Sequence, residues 1–283
     1  MSRRGRRLIR RRTAPVARGS MRRVARRIPL ILLPPSEGKA SGGDGPAWAT
    51  GSMSVDLDPS RALVVAALQR AMRLPLQERS SLLGVKGTAL AAATAANRSV
   101  ATAATMPAIA RYTGVLYDAL DAGSLDAAAR RRLSSSVLIL SGLWGVVAPS
   151  DPIPDYKLKM GASLGRLGRL STFWSEPLTS ALGRRVRGRR VWNLLPKEHD
   201  AAWRPADGVE QVSVEFLEPG RNGELVAVSH WNKFLKGALV RHLLTEPGTT
   251  PADLADWEHP AGFRLDPRRT RIERGRTVMV MVR

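Results

Sequence analysis

Lysines, carboxylates and a tyrosine stand in three separate segments that each follow an apolar run. Lys39 closes the turn PPSEGK after ILL, Glu198 follows VWNLL, and VLIL leads into SGLWGVVAPSDPIPDYKLKMG at 141–161. An amine beside carboxylates can perform acid–base or imine chemistry. Because clefts of α/β proteins form where strands end, we expect the three segments to line one cleft.

The 141–161 segment carries more charge and more turn formers than a simple connection needs. Gly142 and Gly145 permit close packing or a tight turn around Trp144, and three prolines stiffen the loop that follows. A rigid loop of mixed charge suits recognition or catalysis, although its charges could also serve only to pin a long loop. We expect the loop to present Asp151, Asp155, Tyr156, Lys157 and Lys159.

These residue types fit the excision of a damaged base from DNA. A carboxylate could orient water or stabilise a sugar cation, and an aromatic ring could stack on an extruded base. The alternative for each tryptophan is a place in the core. The candidate catalytic residues are Lys39, Asp155, Tyr156, Asn193 and Glu198, and the candidate stacking rings are Trp144, Tyr156, Trp174 and Trp231.

The charge of the chain points to a polyanionic partner. The 283 residues include 45 basic and 24 acidic side chains, a net charge of +21. Nucleic acid is the leading candidate, before an anionic membrane surface or an acidic protein. Residues 1–27 hold twelve arginines and no acid, so we expect a disordered basic arm there, unless Met21 is the natural start. Residues 28–283 are then the folded, DNA-binding domain.

The sequence lacks the residues that several kinds of functional site require. It has no cysteine, which excludes disulfides, thiolate metal sites and a cysteine nucleophile. Its four histidines lack ligand spacing, and no phosphate-binding glycine motif or serine elbow occurs. We therefore expect no metal, no nucleotide or other cofactor and no membrane partner. No apolar run is long enough to span a bilayer, so we expect a soluble, cytoplasmic monomer.

Helical and strand patterns alternate along the chain and predict one compact α+β (mixed α/β) domain with a mixed sheet and surrounding helices. Asp58 is the expected cap of a helix over DLDPSRALVVAALQRAMR, and Ser124 of the helix before VLIL. MPAIARYTGVLYDAL reads as one helix. The final RTVMVMVR alternates and predicts an edge strand.

A helix-hairpin-helix element is indicated at LLGVKGTALA, residues 82–91. Gly84 and Gly87 would let the backbone approach a phosphate, the following helix would offer free N–H groups, and Lys86 would add charge. The glycines stand one residue further apart than in the usual hairpin. An ordinary turn between two alanine-rich helices is the alternative.

Six segments, in order, resemble the YaaA family of peroxide stress proteins. They are LLPPSEGK, YTGVLYDAL, LSGLWGVVAPSDPIPDYKLKMG, FW, WNLLPKEHDAAW and VSHWNKFLKGALVRHLL, and they cover nearly all of residues 29–283. The resemblance implies one mixed α/β domain, a helix-hairpin-helix, a basic cleft, binding of duplex DNA, and a role in limiting peroxide damage and free iron. It leaves catalysis open.

The chain departs from the family pattern at two motifs. The family's serine and tyrosine become Pro196 and His199, and an arginine becomes Lys236. The main hypothesis is a protein that binds duplex DNA, damaged or distorted DNA included, and protects or helps repair it. The alternatives are a DNA glycosylase and, from charge alone, an RNA binder. The expected DNA contacts are Gly84, Lys86, Gly87, Lys157, Lys159, Lys233, Lys236 and Arg241.

Overall fold

The structure, a computed structural model, describes residues 28–228 and 231–283; the basic arm predicted at 1–27 lies outside them. The strands of the described part are β1 (Leu30–Leu33), β2 (Met106–Pro107), β3 (Val137–Ser141), β4 (Gly145–Val147), β5 (Pro152–Ile153), β6 (Val191–Asn193), β7 (Gln211–Pro219), β8 (Leu225–Ala227), β9 (Arg264–Leu265), β10 (Arg271–Glu273) and β11 (Arg276–Val282). Its α-helices are α1 (Asp58–Ala71), α2 (Leu76–Leu83), α3 (Gly87–Arg98), α4 (Ala108–Arg111), α5 (Val115–Leu120), α6 (Ala127–Ser136), α7 (Leu170–Phe173), α8 (Ser175–Val186), α9 (Lys197–Asp200) and α10 (Asn232–Thr245).

One mixed sheet organises the domain, in the order β10-β11-β7-β6-β1-β3-β4. The five strands from β11 to β3 run parallel, whereas β4, β8, β9 and β10 pair antiparallel at the margins. A separate ribbon joins β2 and β5. Parallel strands covered on both faces are apolar throughout, and β1 and β3 are buried at every residue. The predicted mixed α/β class is confirmed.

Helices α5 and α10 cross at very short range. Gly237 of α10 has no room for a side chain, because a Cβ there would lie 2.3 Å from the carbonyl oxygen of Leu116 in α5. This contact fixes α10, with its lysines, against α5.

Three predicted elements differ from the structure. MPAIARYTGVLYDAL forms two short helices, α4 and α5, because Gly114 between them adopts a left-handed φ of 97°. The cap of α6 is Asp126, whose carboxylate accepts the N–H of Ala129, rather than Ser124. β11 is an interior strand, since it pairs with β7 on one side and with β10 and β9 on the other.

A buried arginine anchors α1 to the rest of the domain. Arg61 is fully buried and donates hydrogen bonds to the carbonyls of Trp144, Val55 and Val146 and to Asp58, at 2.7–3.1 Å. Asp58 is therefore the first helical residue and the ion-pair partner of Arg61, and Leu57 stands at the cap position. The predicted cap role of Asp58 was wrong because its carboxylate is engaged inside the domain.

Replacing Arg61 with methionine should destabilise the fold strongly. The change leaves three buried carbonyls without donors and Asp58 without its partner, and breaking a buried pair in this way costs about 3–5 kcal/mol. Urea unfolding of the variant and of the parent measures the difference. Arg70→Met on the same helix is the matched control, because Arg70 is exposed. An equal loss in both variants would contradict the anchoring role of Arg61.

Candidate functional site

The carboxyl ends of three neighbouring strands bring the predicted segments together. β6, β1 and β3 are adjacent and parallel, so the chains that leave them emerge at one edge of the sheet. We call this edge, with the segments 34–39, 141–161 and 193–200 that follow the strands, the carboxyl edge. Contacts between the segments, described below, show that they meet at this edge; that they line one cleft stays a prediction.

The amine of Lys39 lies on the ring of Tyr156. The distance from Nζ to the ring centroid is 4.3 Å, and that to the ring of Tyr112 is 5.8 Å. Lys39 is half-buried, and Nζ also lies 3.4 Å from the carbonyl oxygen of Ser36. A cation over an aromatic face is attracted by the ring quadrupole, so Tyr156 forms the floor on which the amine rests.

A chain of buried hydroxyls holds Tyr156 in place. Its hydroxyl lies 2.7 Å from that of Tyr112 and 2.7 Å from that of Ser141. Ser141, at the end of β3, also accepts the N–H groups of Leu143 and Trp144. Burial raises the pKa of Tyr156 to about 12, so the phenol stays neutral and positions its ring beneath the amine.

Burial also makes Lys39 an unusual lysine. It lowers the pKa of the amine to about 8, and the positive charges of Lys157 and Arg111 act in the same direction. The carboxylates of Asp155 and Glu37 oppose the shift. A substantial fraction of the amine is therefore neutral near pH 8, which is the form that can accept a proton or attack a carbonyl.

Two further lysines surround Glu37 at the rim. Lys157 donates to its carboxylate at 2.9 Å and Lys159 lies 3.8 Å away. The hydrogen bond from Lys157, together with the charges of Lys157, Lys159 and Lys233, holds the pKa of Glu37 below its ordinary value. The charge of Lys233, in the first turn of α10, thus acts on Glu37 as well.

The predicted hairpin contacts this rim. Helices α2 and α3 are joined through Gly84, in a left-handed conformation with φ 66°, and a Cβ there would lie 3.3 Å from the amine of Lys159. The side chain of Asn97 in α3 exchanges two 2.9 Å hydrogen bonds with the backbone of Lys157. Lys86 and Gly87 lie on this exposed turn, so two helices and a turn adjoin the site; their DNA role stays a prediction.

Asn193 is engaged inside the fold. It is buried and donates to Asp200 at 2.7 Å, while its own oxygen accepts the N–H of Leu195. Asp200 in turn pairs with Arg276 of β11 at 2.8 Å. The amine of Lys236 donates to the carbonyl of Leu194 at 3.0 Å, and burial lowers its pKa. These residues support the segment that carries Glu198.

Glu198 itself is exposed and lies against the 141–161 loop. A Cβ on Gly161 would come within 2.8 Å of the Glu198 carboxylate, so the glycine leaves space for it. His199 has no hydrogen-bond partner on either ring nitrogen, and burial lowers its pKa to about 4. The ring is neutral at cellular pH.

Burial reassigns several predicted residues. Trp144 and Trp174 expose no surface and Tyr156 exposes 3%, so these rings belong to the core and cannot stack on a base in this structure. Asp151 is also buried, because its carboxylate accepts from Ser54 and from the N–H of Ala148. Trp231, at the cap of α10, exposes 57% of its surface.

Arg241 lies two turns along α10 from Lys233. Its guanidinium donates to the carbonyls of Leu120 and Asp121 at the end of α5. This arginine therefore ties α10 to α5, whereas Asp155, Lys159 and Lys233 are exposed at the carboxyl edge.

Sequence reasoning missed a compositional signal that marks this edge. The chain has 38 arginines but only seven lysines. All seven lie on the carboxyl-edge segments, on the hairpin turn beside Lys159, or in the first two turns of α10: Lys39, Lys86, Lys157, Lys159, Lys197, Lys233 and Lys236. Lysine provides a compact charge and a titratable amine, which arginine does not. The positions of the seven lysines therefore distinguish the carboxyl edge from the rest of the described fold.

The described residues contain no group of three or more histidine, aspartate or glutamate side chains arranged to hold a metal ion. Within the same ranges, 28–228 and 231–283, each helix is too short or too polar to cross a membrane.

The fold and the site define a mixed α/β protein with a lysine-lined site at the carboxyl edge of a parallel sheet. The family described as peroxide stress protein YaaA matches residues 30–269. The chain therefore belongs to the YaaA family.

Relatives from actinobacteria support the assignment. A UPF0246 protein of Streptomyces coelicolor is 39% identical over 244 residues, which are 84% of this chain and 92% of that protein. A UPF0246 protein of Corynebacterium glutamicum is 37% identical over 219 residues, covering 76% and 84%. A third, from Corynebacterium efficiens, is 36% identical over 248 residues, covering 84% and 94%. The alignments span most of each protein, so the likeness covers most of the fold.

The amine of Lys39 should titrate near pH 8. Competitive acylation at a series of pH values, read by mass spectrometry of the labelled peptide, should give a midpoint at about 8, whereas a free lysine standard titrates near pH ~10.4. Asp155→Asn should move the midpoint to lower pH, because the carboxylate favours the ammonium form. A midpoint equal to the standard, or one that Asp155→Asn leaves unchanged, would contradict this environment.

The same shift predicts a pH dependence of stability. The pKa of Lys39 is about 8 in the folded chain and 10.5 as a free side chain, so the unfolded state binds more protons between these values. The free energy of unfolding should gain a rising contribution as pH increases through this window. Lys39→Met should remove that contribution, which urea unfolding at pH 8 and pH 10 can measure.

Proposed function

We propose that this YaaA-family protein binds duplex DNA at its carboxyl edge and thereby protects DNA, or assists its repair, under peroxide stress. The observation that carries the proposal is the collection of all seven lysines at or beside one edge of the sheet. Phosphate contacts supply most of the affinity of sequence-independent DNA binding. The function places the protein with the nucleoid in the cytoplasm.

The hairpin beside the lysines adds a second mode of phosphate contact. Helix α3 begins at Gly87 after an exposed turn, and the N–H groups of a helix start favour anions. Lys86 and Lys159 flank this turn. A DNA backbone that ran over it would therefore meet both backbone donors and amines, and then the exposed Lys233 of α10.

The salt dependence of DNA affinity tests the proposal. Duplex affinity should fall steeply with salt, so the slope of log K against log salt is negative. Each phosphate contact that is lost should bring this slope closer to zero by about 0.9. Lys159→Gln and Lys233→Gln should each flatten the slope by that amount. Fluorescence anisotropy with a labelled duplex from low to moderate salt measures it.

Arg187→Gln is the matched control. Arg187 is exposed between α8 and β6 and lines a cavity with Ile28 and Pro29, which precede β1, so it lies at the opposite edge of the parallel sheet and the slope should not change. Removal of residues 1–27 should lower low-salt affinity and the slope without altering the effects of Lys159 and Lys233. Absence of duplex binding at low salt, or equal effects of all three substitutions, would contradict the proposal. If structured RNA competed with the duplex and bound more strongly, RNA would be the ligand of this edge and the DNA proposal would be wrong.

An enzymatic role in base excision is a second candidate, favoured by the exposed ring of Trp231. The ring lies two residues before Lys233, whose charge acts on Glu37, and it could stack on an extruded base. Asp155 and Glu198 supply exposed carboxylates at the same edge. One of them could orient water or stabilise a developing sugar cation.

Excision would require these carboxylates. Glu198→Gln or Asp155→Asn should lower release of an adducted base by about 100-fold or more and leave DNA affinity intact. Alkaline cleavage of treated duplexes reveals the abasic sites. Asp207→Asn is the control, because Asp207 is an exposed carboxylate that precedes β7 in the chain and lies outside the carboxyl-edge segments. Release that survives both carboxylate changes, or is absent from the parent, would rule out this role.

A further inference from the structure

The amine of Lys39 lacks the carboxylate contact that most half-buried lysines have. No Asp or Glu oxygen of the described residues lies within ion-pair distance of it, and its nearest groups are the Tyr156 ring and the Ser36 carbonyl. Glu37 is paired instead with Lys157 and Lys159. The Tyr156 ring thus holds the amine in a defined position, and no carboxylate forms an ion pair with it among the described residues.

An amine at this position is not explained by charge alone. In a chain with 38 arginines, arginine would supply a cation at least as well. A lysine in a partly desolvated position offers a nucleophilic nitrogen in addition. The six other lysines nearby offer charges for a phosphate, so the substrate of that nitrogen should carry both a carbonyl and a phosphate.

We propose that Lys39 forms a covalent imine with the aldehyde of a phosphate-bearing deoxyribose. Two sources share this chemistry: the ring-opened sugar of an abasic site in DNA, and free 2-deoxyribose 5-phosphate. The DNA source rests on the function proposed above; the imine itself does not.

The step is balanced without any other reactant. The lone pair of Nζ attacks the aldehyde carbon, and the carbonyl oxygen takes up a proton to give a carbinolamine. The nitrogen loses its protons as the hydroxyl leaves as water, so a C=N bond replaces the C=O bond. The exposed Asp155, whose charge acts on Lys39, is the candidate to exchange protons with solvent. Tyr156 positions the amine and keeps its own proton.

Borohydride reduction traps such an imine as a stable amine. The full chain would be incubated with a duplex that carries an abasic site, with the same duplex carrying a tetrahydrofuran analogue that lacks the aldehyde, and with 2-deoxyribose 5-phosphate. A covalent adduct should form with the abasic duplex or the free sugar, and not with the analogue. Mass spectrometry should locate it on Lys39.

Lys39→Arg keeps the charge but cannot form an imine, so trapping should fall to background at duplex concentrations that saturate binding of the analogue. Arg187→Lys adds an exposed lysine at the opposite edge and should not add a trapped site. Trapping of the free sugar alone supports the imine and assigns the small-molecule source. Binding of the analogue without trapping of either aldehyde overturns the imine but not the DNA proposal. An adduct elsewhere, or one that persists in Lys39→Arg, also overturns it.

Discussion

Parallel pairing of β6, β1 and β3 is the constraint on which the site depends. The hydrogen-bonded register aligns Leu32 with Asn193 on one side and with Leu138 on the other, so three chain segments far apart in sequence leave the sheet side by side. Each segment brings a different component: an amine after β1, an aromatic floor and a lysine rim after β3, and a carboxylate after β6. A shift of one strand would separate them.

Buried polar contacts convert this alignment into a defined site. The hydroxyl chain from Tyr112 through Tyr156 to Ser141 sets the floor beneath Lys39, and the pair of bonds between Asn97 and the backbone of Lys157 sets the rim. Buried polar groups that are fully bonded rigidify their surroundings. The carboxyl edge therefore combines a rigid base with exposed charges, which suits contact with a large anionic partner.

The sequence allowed the class of fold, most strands and the convergence of the three segments to be predicted, because apolar runs and turn formers are local signals. It did not reveal which polar residues turn inward. Asp58 and Asp151 looked like surface acids, yet each is bonded inside the fold by partners such as Arg61 and Ser54, which no local pattern shows. Trp144 and Trp174 occupy the core, which was the alternative expected for each tryptophan, and Lys39 and Glu198 follow neighbouring strands as expected.

The central claim is that DNA meets the carboxyl edge of the sheet and not the opposite edge. Chemical footprinting of lysines and arginines on the full chain, with and without a saturating duplex, tests it directly because the lysines lie at one edge. The account predicts protection of Lys159 and Lys233, which are exposed in the free protein, and none at the exposed Arg187, which lies beside the residues that precede β1. Saturation with DNA that protects Arg187 and leaves both lysines as reactive as before would contradict the account.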